Sequence, residues 1–185
     1  TAFELFTKAS AQGCGLAMFN LGGCYADGKG CDQDYTTAVE WYTKASAQGD
    51  SSAMLNLGNC YADGKGCDQD YTKAVEWYTK ASTQGNSSAM FNLGGCYADG
   101  KGCDQDYTTA VECYTKASAQ GHSGAMFNLG AYYHAGWGCD QDYTTAFKWY
   151  TKASALGNSR AMNELGCCYY DGTGCNQNYT TAFKW

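Results

Sequence analysis

A single period governs the whole chain. The string Cys-Asp-Gln-Asp-Tyr occurs four times at a spacing of 36 residues, and the variant Cys-Asn-Gln-Asn-Tyr follows one period later. The five strings begin at Cys31, Cys67, Cys103, Cys139 and Cys175. Leu-Gly pairs recur with the same spacing, without insertion or deletion. A period of this length is typical of proteins that stack copies of one supersecondary unit. We therefore predict a single array of about five repeats over residues 1–185, forming a segment of a longer array or filament.

The first half of a repeat has the pattern of a helix. Ala38, Tyr42 and Ala45 recur at helical spacing. Asp34 is a favourable N-cap, and Gly49 is a favourable residue at a helix end. These residues predict a helix over 34–48.

The second half of a repeat predicts another helix, from near Ser51 to the Asp-Gly-Lys-Gly turn that begins at Asp63. Leu57 and Cys60 belong to its apolar face. Gly58 lies inside this helix, where glycine costs about 1 kcal/mol relative to alanine, so we expect another helix to approach it closely. A helix pair cannot bury its apolar face alone, which predicts that the pairs stack into a solenoid.

Residues 53–66 follow the pattern Ala-x-x-x-Leu-Gly-x-x-Tyr-x-x-Gly-x-Gly, and a Gln-Asp-Tyr and a helix with Lys-Ala-Ser come next. This sequence resembles the Sel1-like repeat, a relative of the tetratricopeptide repeat, over the whole chain. The resemblance implies an all-α fold, a right-handed α/α superhelical solenoid whose concave surface typically binds other proteins. It implies neither catalytic residues nor a cofactor, so we predict that the chain is not an enzyme. One departure is notable: cysteine follows each Gly-x-Gly, where the family commonly has valine.

Four repeats carry a Cys-x6-Cys pair across the glycine-rich turn. We predict disulfides between Cys24 and Cys31, Cys60 and Cys67, Cys96 and Cys103, and Cys168 and Cys175. Closing so short a loop stabilises a fold by roughly 2–2.5 kcal/mol in the chain-entropy model. The alternative is that reduced cysteines fill space in the core.

The remaining repeat differs at two related positions. Tyr132 replaces the first cysteine of the pair, and Cys113 replaces a tryptophan of the first helix. This exchange predicts an alternative Cys113–Cys139 disulfide. Cys14 and Cys167 are left over, as unpaired thiols or intermolecular links.

The cysteine spacing is wider than in zinc sites, and the Asp-rich turns lack the ligand pattern of an EF-hand, so we predict no metal.

The cysteines, the sequons and the net charge predict where the protein is located and which partners are disfavoured. Disulfides form in oxidising compartments, which predicts a secreted, extracellular product. Asn86 and Asn178 begin glycosylation sequons, which together with the cysteines favour a secreted product with N-linked glycans; the alternative is that these asparagines only start helices. The formal charge is −6, with no basic cluster, which disfavours nucleic acid as a partner. No apolar run is long enough to span a bilayer.

One turn carries candidate contact residues. Trp137 occupies a position where other repeats have lysine or threonine, and Tyr132 and His134 lie near it in sequence. An aromatic residue in an exposed turn is a candidate for binding a partner protein, although Trp137 can also serve to cover Tyr132.

Apolar residues at both ends leave two functions open. Both ends fall within the first helix of a repeat, and a solenoid needs polar caps. We therefore expect end-to-end contacts through Phe3, Leu5, Phe6, Phe183 and Trp185. Repeated head-to-tail contacts generate filaments. The favoured prediction is a structural scaffold that stacks into an extracellular fibre, with itself as partner. The alternative is a discrete adaptor that binds another protein.

Overall fold

The computed structural model describes residues 1–182, and every regular element within them is an α-helix. The helices are α1 Ala2–Ala11, α2 Gly15–Asp27, α3 Tyr35–Ala47, α4 Ser51–Asp63, α5 Tyr71–Thr83, α6 Ser87–Asp99, α7 Tyr107–Ala119, α8 Ser123–Ala135, α9 Tyr143–Ala155, α10 Ser159–Asp171 and α11 Tyr179–Ala182. The prediction of an all-α repeat fold is confirmed. None of the described helices combines the length and the apolar character needed to cross a bilayer.

The odd-numbered helices α3 to α9 each begin at an aspartate N-cap. The Asp34 carboxylate accepts hydrogen bonds from the backbone N–H groups of Thr36 and Thr37, at 2.9 and 3.1 Å. It also accepts one from the Thr37 hydroxyl at 2.7 Å. These hydrogen bonds, that of the hydroxyl above all, lower the pKa of Asp34. The recurring aspartate therefore fixes where the first helix of each repeat begins.

The even-numbered helices end at glycine. Gly64 follows α4 with φ at +67°, in the left-handed region that terminates helices, and its N–H donates to the Cys60 carbonyl. The chain then turns back, and the Asp70 N–H donates to the Tyr61 carbonyl at 2.9 Å. The Gln69 side chain donates to the Ala62 carbonyl at 2.7 Å. This turn holds the end of one helix beside the start of the next.

The chain divides into two compact units. The first comprises Thr1–Ala89 with Lys101–Cys103, and the second comprises Met90–Gly100 with the chain from Asp104 onward. In the first unit, Leu57 is fully buried among alanines and Tyr42, and the Tyr78 ring of α5 lies directly against Gly58. The close approach expected at Gly58 is therefore found.

The second unit is built in the same way. Leu129 and Leu165 are almost completely buried in its cores, beside alanines that are also inaccessible to solvent. Tyr114 and Tyr150 fill the space between successive helices. The small residues let helices approach, and the large rings close the gaps that remain.

Candidate functional site

The turn after α8 places the Trp137 ring against two other aromatic rings. The Trp137 ring stacks on Tyr107 with a centroid separation of 5.6 Å and an interplanar angle of 15°. It also meets the edge of Tyr132 at 5.6 Å. Even so, 49% of Trp137 remains exposed. An indole that is held in one orientation and half exposed loses little conformational entropy on binding, which suits a contact residue.

Tyr132 lies beneath this surface. Only 7% of the residue is exposed, and its ring packs edge-on against Tyr114 at 5.4 Å. Burial raises the pKa of Tyr132 well above the usual tyrosine range. Of the three predicted contact residues, Trp137 and His134 are exposed, while Tyr132 belongs to the core and supports Trp137 from below.

The equivalent turn in the first unit is charged. Lys65 forms an ion pair with Asp63 at 2.9 Å, and its ammonium lies 5.9 Å from the centre of the Tyr35 ring. In the second unit, Ala135 and Trp137 stand at the positions of Asp63 and Lys65. The second unit therefore lacks both charges at this turn. The Trp137 indole covers Tyr107, whereas the Lys65 ammonium lies over the equivalent Tyr35 in the first unit.

Two further pairs of aromatic residues lie in the second unit. His134 meets the edge of Tyr143 at 5.0 Å, and Tyr170 meets Tyr179 in the same way at 5.3 Å. His134 and Tyr170 occupy positions where earlier repeats have alanine. We call His134, Trp137, Tyr143, Tyr170 and Tyr179 the aromatic strip. Sequence reasoning missed its three tyrosines, although the change from alanine to tyrosine at position 170 was a usable signal.

A polar cleft of about 340 Å³ lies in the first unit. Asp27, Tyr42, Asn59 and Lys65 contribute to its lining. Burial raises the pKa of Tyr42 to about 12, so its hydroxyl remains protonated at neutral pH. Burial likewise raises the pKa of Cys60, which also lines the cleft, to about 11, and a protonated thiol is a weak nucleophile. The cleft offers hydrogen-bonding groups rather than an activated nucleophile.

Comparison with known families identifies the fold. The sequence model of the Sel1 repeat matches residues 1–14, 15–50, 51–86, 87–122, 123–158 and 159–185. The chain belongs to the Sel1 repeat family. Proteins of this family are generally non-catalytic scaffolds, and the repeats mediate protein–protein interaction.

Solved Sel1 repeat structures agree with this assignment. The chain is 36% identical to c5321, described as a protective antigen present in uropathogenic Escherichia coli strains, with a TM-score of 0.94 over 97% of this chain. It spans only 38% of the length of that protein. It is 34% identical to a Sel1 repeat protein from Oxalobacter formigenes, with a TM-score of 0.93 over 99% of this chain and 75% of the other.

A cysteine-rich relative shares the fold alone. Helicobacter pylori cysteine rich protein B is 23% identical, with a TM-score of 0.58 over 72% of this chain and 96% of the other. A search of curated protein sequences found no significant match.

The cysteines of the Sel1 repeats are present as thiols in the structure, which contains no disulfide bond among the described residues. The predicted pairs nevertheless lie near one another where their contacts are resolved. The Cys175 thiol donates to the Cys168 carbonyl at 3.4 Å. Burial and then the neighbouring Cys175 raise the pKa of Cys168, to about 11. The pairing of the Cys-x6-Cys residues stays a prediction.

The other cysteines occupy contrasting environments. Cys14 and Cys167 are exposed, as residues able to link molecules must be. Cys113 is 8% exposed in α7, and the Cys139 thiol donates to the Trp137 carbonyl at 3.6 Å. The Cys113–Cys139 bond stays a prediction. Within residues 1–182, no three His, Cys, Asp or Glu side chains are grouped so that they could hold a metal ion.

The sequon asparagines act as helix caps. Asn86 accepts a hydrogen bond from the Ala89 N–H at 3.0 Å and donates one to the Ser51 carbonyl at 3.4 Å. Asn178 accepts one from the Thr181 N–H at 3.0 Å. A glycan on Asn86 would replace one of the two hydrogens of this amide, so the hydrogen bond to Ser51 would have to use the other.

The predicted end contacts differ in exposure. Leu5 is 66% exposed, and Phe6 is partly buried. Phe3 packs against Tyr25 with ring centroids 5.5 Å apart, so part of its surface is already covered. Phe183 and Trp185 lie outside the described residues.

The surroundings of His122 predict that the stability of the second unit depends on pH. Its Nδ1 accepts a hydrogen bond from the Ala125 N–H at 3.2 Å, as the N-cap of α8. Burial lowers the pKa of His122 below the usual 6.5. The unfolded chain therefore binds more protons just below pH 6.5, and stability falls as the pH falls through the lowered pKa. Asparagine stands at the equivalent position in two other repeats, as Asn86 and Asn158. We therefore expect the free energy of unfolding of His122→Asn to fall less between pH 7 and pH 5 than that of the wild type, as measured by urea titrations. Equal pH dependence of the two proteins would contradict this assignment.

Proposed function

We propose that the chain is a non-enzymatic protein-binding scaffold that contacts its partner through the aromatic strip. The observation that carries this proposal is the state of Trp137, which is stacked on Tyr107 yet half exposed. Tyr143, Tyr170 and Tyr179 are 42, 59 and 56% exposed in the same unit. Aromatic residues dominate the energetics of protein interfaces, and exposed aromatic clusters mark such surfaces.

The partner surface that fits the aromatic strip is apolar. Ala135 and Trp137 replace the charged pair of the equivalent turn. Binding a partner at this turn therefore does not require the desolvation of an ammonium and a carboxylate. The tyrosine hydroxyls and the His134 ring add hydrogen-bonding groups. We therefore expect a partner protein that presents an apolar segment edged by polar groups.

The test restores the charged turn. After capture of a partner from the natural source, its affinity for wild type, Ala135→Asp/Trp137→Lys and the control Lys65→Gln is measured by calorimetry. Loss of a central aromatic contact costs about 2 kcal/mol or more, which corresponds to roughly 30-fold weaker binding. The control, in the first unit, should stay within about twofold of wild type. Equal affinity of the double variant and wild type would refute a role for the aromatic strip.

Disulfide stapling is a further part of the proposal. The contact between the Cys175 thiol and the Cys168 carbonyl supports it, because this contact brings the predicted partners to the same point of the turn. For oxidised protein we expect each eight-residue loop to add roughly 2–2.5 kcal/mol to the free energy of unfolding. Peptide mapping without reduction, combined with urea titrations with and without reductant, measures both effects. A variant in which Cys60 and Cys67 are serine should respond less to reductant. Free thiols throughout the unreduced natural protein would exclude the staples.

End-to-end assembly into an extracellular fibre, secretion and glycosylation of Asn86 and Asn178 stay sequence-based proposals. Electron microscopy of unreduced protein from its natural source tests the fibre. Long fibres of uniform width would favour it, and short discrete particles would favour the adaptor alone.

A further inference from the structure

A second concave feature lies in the second unit, away from the residues of the aromatic strip. It is a groove of about 350 Å³ between α6, α8 and the start of α10. Phe91 and Phe127 supply partly buried aromatic walls. Ser123 and Ser159 place hydroxyl groups at its margin. Such a mixture of aromatic walls and a few polar groups is typical of peptide and small-ligand sites.

Two departures from the repeat shape this groove. Gly124 and Arg160 occupy the position at which earlier repeats have Ser52 and Ser88. A Cβ atom on Gly124 would lie 3.2 Å from His122 Cε1 and 3.4 Å from Phe91 Cε2. Glycine therefore keeps open the floor beside Phe91, which itself stacks on His122 with centroids 4.6 Å apart.

The groove carries one positive charge, that of Arg160. Arg160 is the single arginine of the chain, and it is exposed at the groove in a protein whose formal charge is −6. No ion pair joins Arg160 to a carboxylate of residues 1–182. A guanidinium presents a planar set of donors that matches a carboxylate. Aromatic walls beside an unpaired guanidinium are complementary to an apolar side chain next to a carboxylate.

We propose that this groove binds a peptide segment of a partner protein in which an aromatic or aliphatic side chain adjoins a carboxylate. The apolar side chain packs between Phe91 and Phe127, over Gly124, and the carboxylate accepts hydrogen bonds from Arg160. This inference rests on the proposed protein-binding function and adds the chemistry of the bound segment. The carboxylate belongs either to an acidic side chain or to the end of a chain.

Fluorescence anisotropy with labelled peptides tests the groove. The first probe contains Phe-Asp within a Gly/Ser peptide whose ends are blocked, the second contains Phe-Asn instead, and the third ends in Phe with a free carboxylate. Charge-assisted hydrogen bonds should make one or both carboxylate probes bind about tenfold more tightly than the Phe-Asn probe. Preference between the first and third probes identifies the source of the carboxylate.

Matched variants locate the effect. Arg160→Gln should abolish the preference for carboxylate, and Gly124→Ser should weaken all three probes by narrowing the floor. Lys116→Gln removes one positive charge from the same unit outside the groove and should leave the preference intact. Equal binding of the Phe-Asp, Phe-Asn and free-carboxylate probes, no binding of any probe, or a carboxylate preference that survives Arg160→Gln would overturn the proposal. The protein-binding function is read separately, from the effect of Ala135→Asp/Trp137→Lys on the captured partner, so the two failures are distinguishable.

Discussion

Gly66→Ala should unfold the first unit at a much lower urea concentration than Gly49→Ala. Both glycines have positive φ, +74° and +89°, so both substitutions carry a backbone cost of about 1–2 kcal/mol. The surroundings differ. A Cβ atom at Gly49 meets nothing within 4 Å, whereas one at Gly66 collides with the Tyr35 carbonyl group and lies 2.8 Å from the Thr36 nitrogen.

The collision at Gly66 involves backbone atoms at the start of α3, which cannot rotate aside as a side chain can. We therefore expect Gly66→Ala to lose at least about 2 kcal/mol more than Gly49→Ala. Urea titrations followed by circular dichroism measure the difference. Similar losses for the two variants would show that the turn at Gly66 does not pack against the start of α3 as the structure has it.

Leu57→Ala should be comparably damaging. Leu57 is completely buried at the centre of the first unit's core, surrounded by Ala38, Tyr42 and Ala53. Removing a buried leucine side chain costs about 2.7–5 kcal/mol, depending on how far the cavity collapses. Small alanine neighbours leave few flexible groups that can fill the space, so we expect a value in the upper half of this range.

Leu55→Ala is the matched control for Leu57→Ala. Leu55 lies in the same helix but is only partly buried, so its truncation should cost about 1 kcal/mol or less. Both variants have the same change in helix propensity. Equal losses in urea titrations would contradict the assignment of Leu57 to the centre of the core.

Local rules were sufficient to predict the helices. Asp34 caps α3 and Gly64 ends α4 as their residue types indicate, because capping depends on atoms only a few residues apart. The glycine at position 58 also predicted a close neighbour, although its identity, the Tyr78 ring, depends on how the helices stack. The period itself supplied the fold, because each helix pair must cover the next.

The candidate surfaces were harder to predict, because they depend on which position of the repeat faces solvent. The sequence predicts Tyr132 as a contact residue. Its position, which is cysteine in the other repeats, faces the core, so the Tyr132 ring is buried beneath Trp137. Tyr170 was overlooked, although alanine occupies its position in earlier repeats. Arg160 could not be predicted as a binding residue, because its place beside Phe91 and Phe127 depends on how the helices pack.

Binding of a partner protein to the aromatic strip can be examined residue by residue. Hydrogen exchange of the wild-type protein, with and without the captured partner, tests it most directly. We expect the partner to slow exchange in segments 132–143 and 168–180, which contain the aromatic strip, and to leave exchange in the equivalent segment 26–35 of the first unit unchanged. Slowed exchange confined to the first unit, with segments 132–143 and 168–180 unaffected, would contradict it.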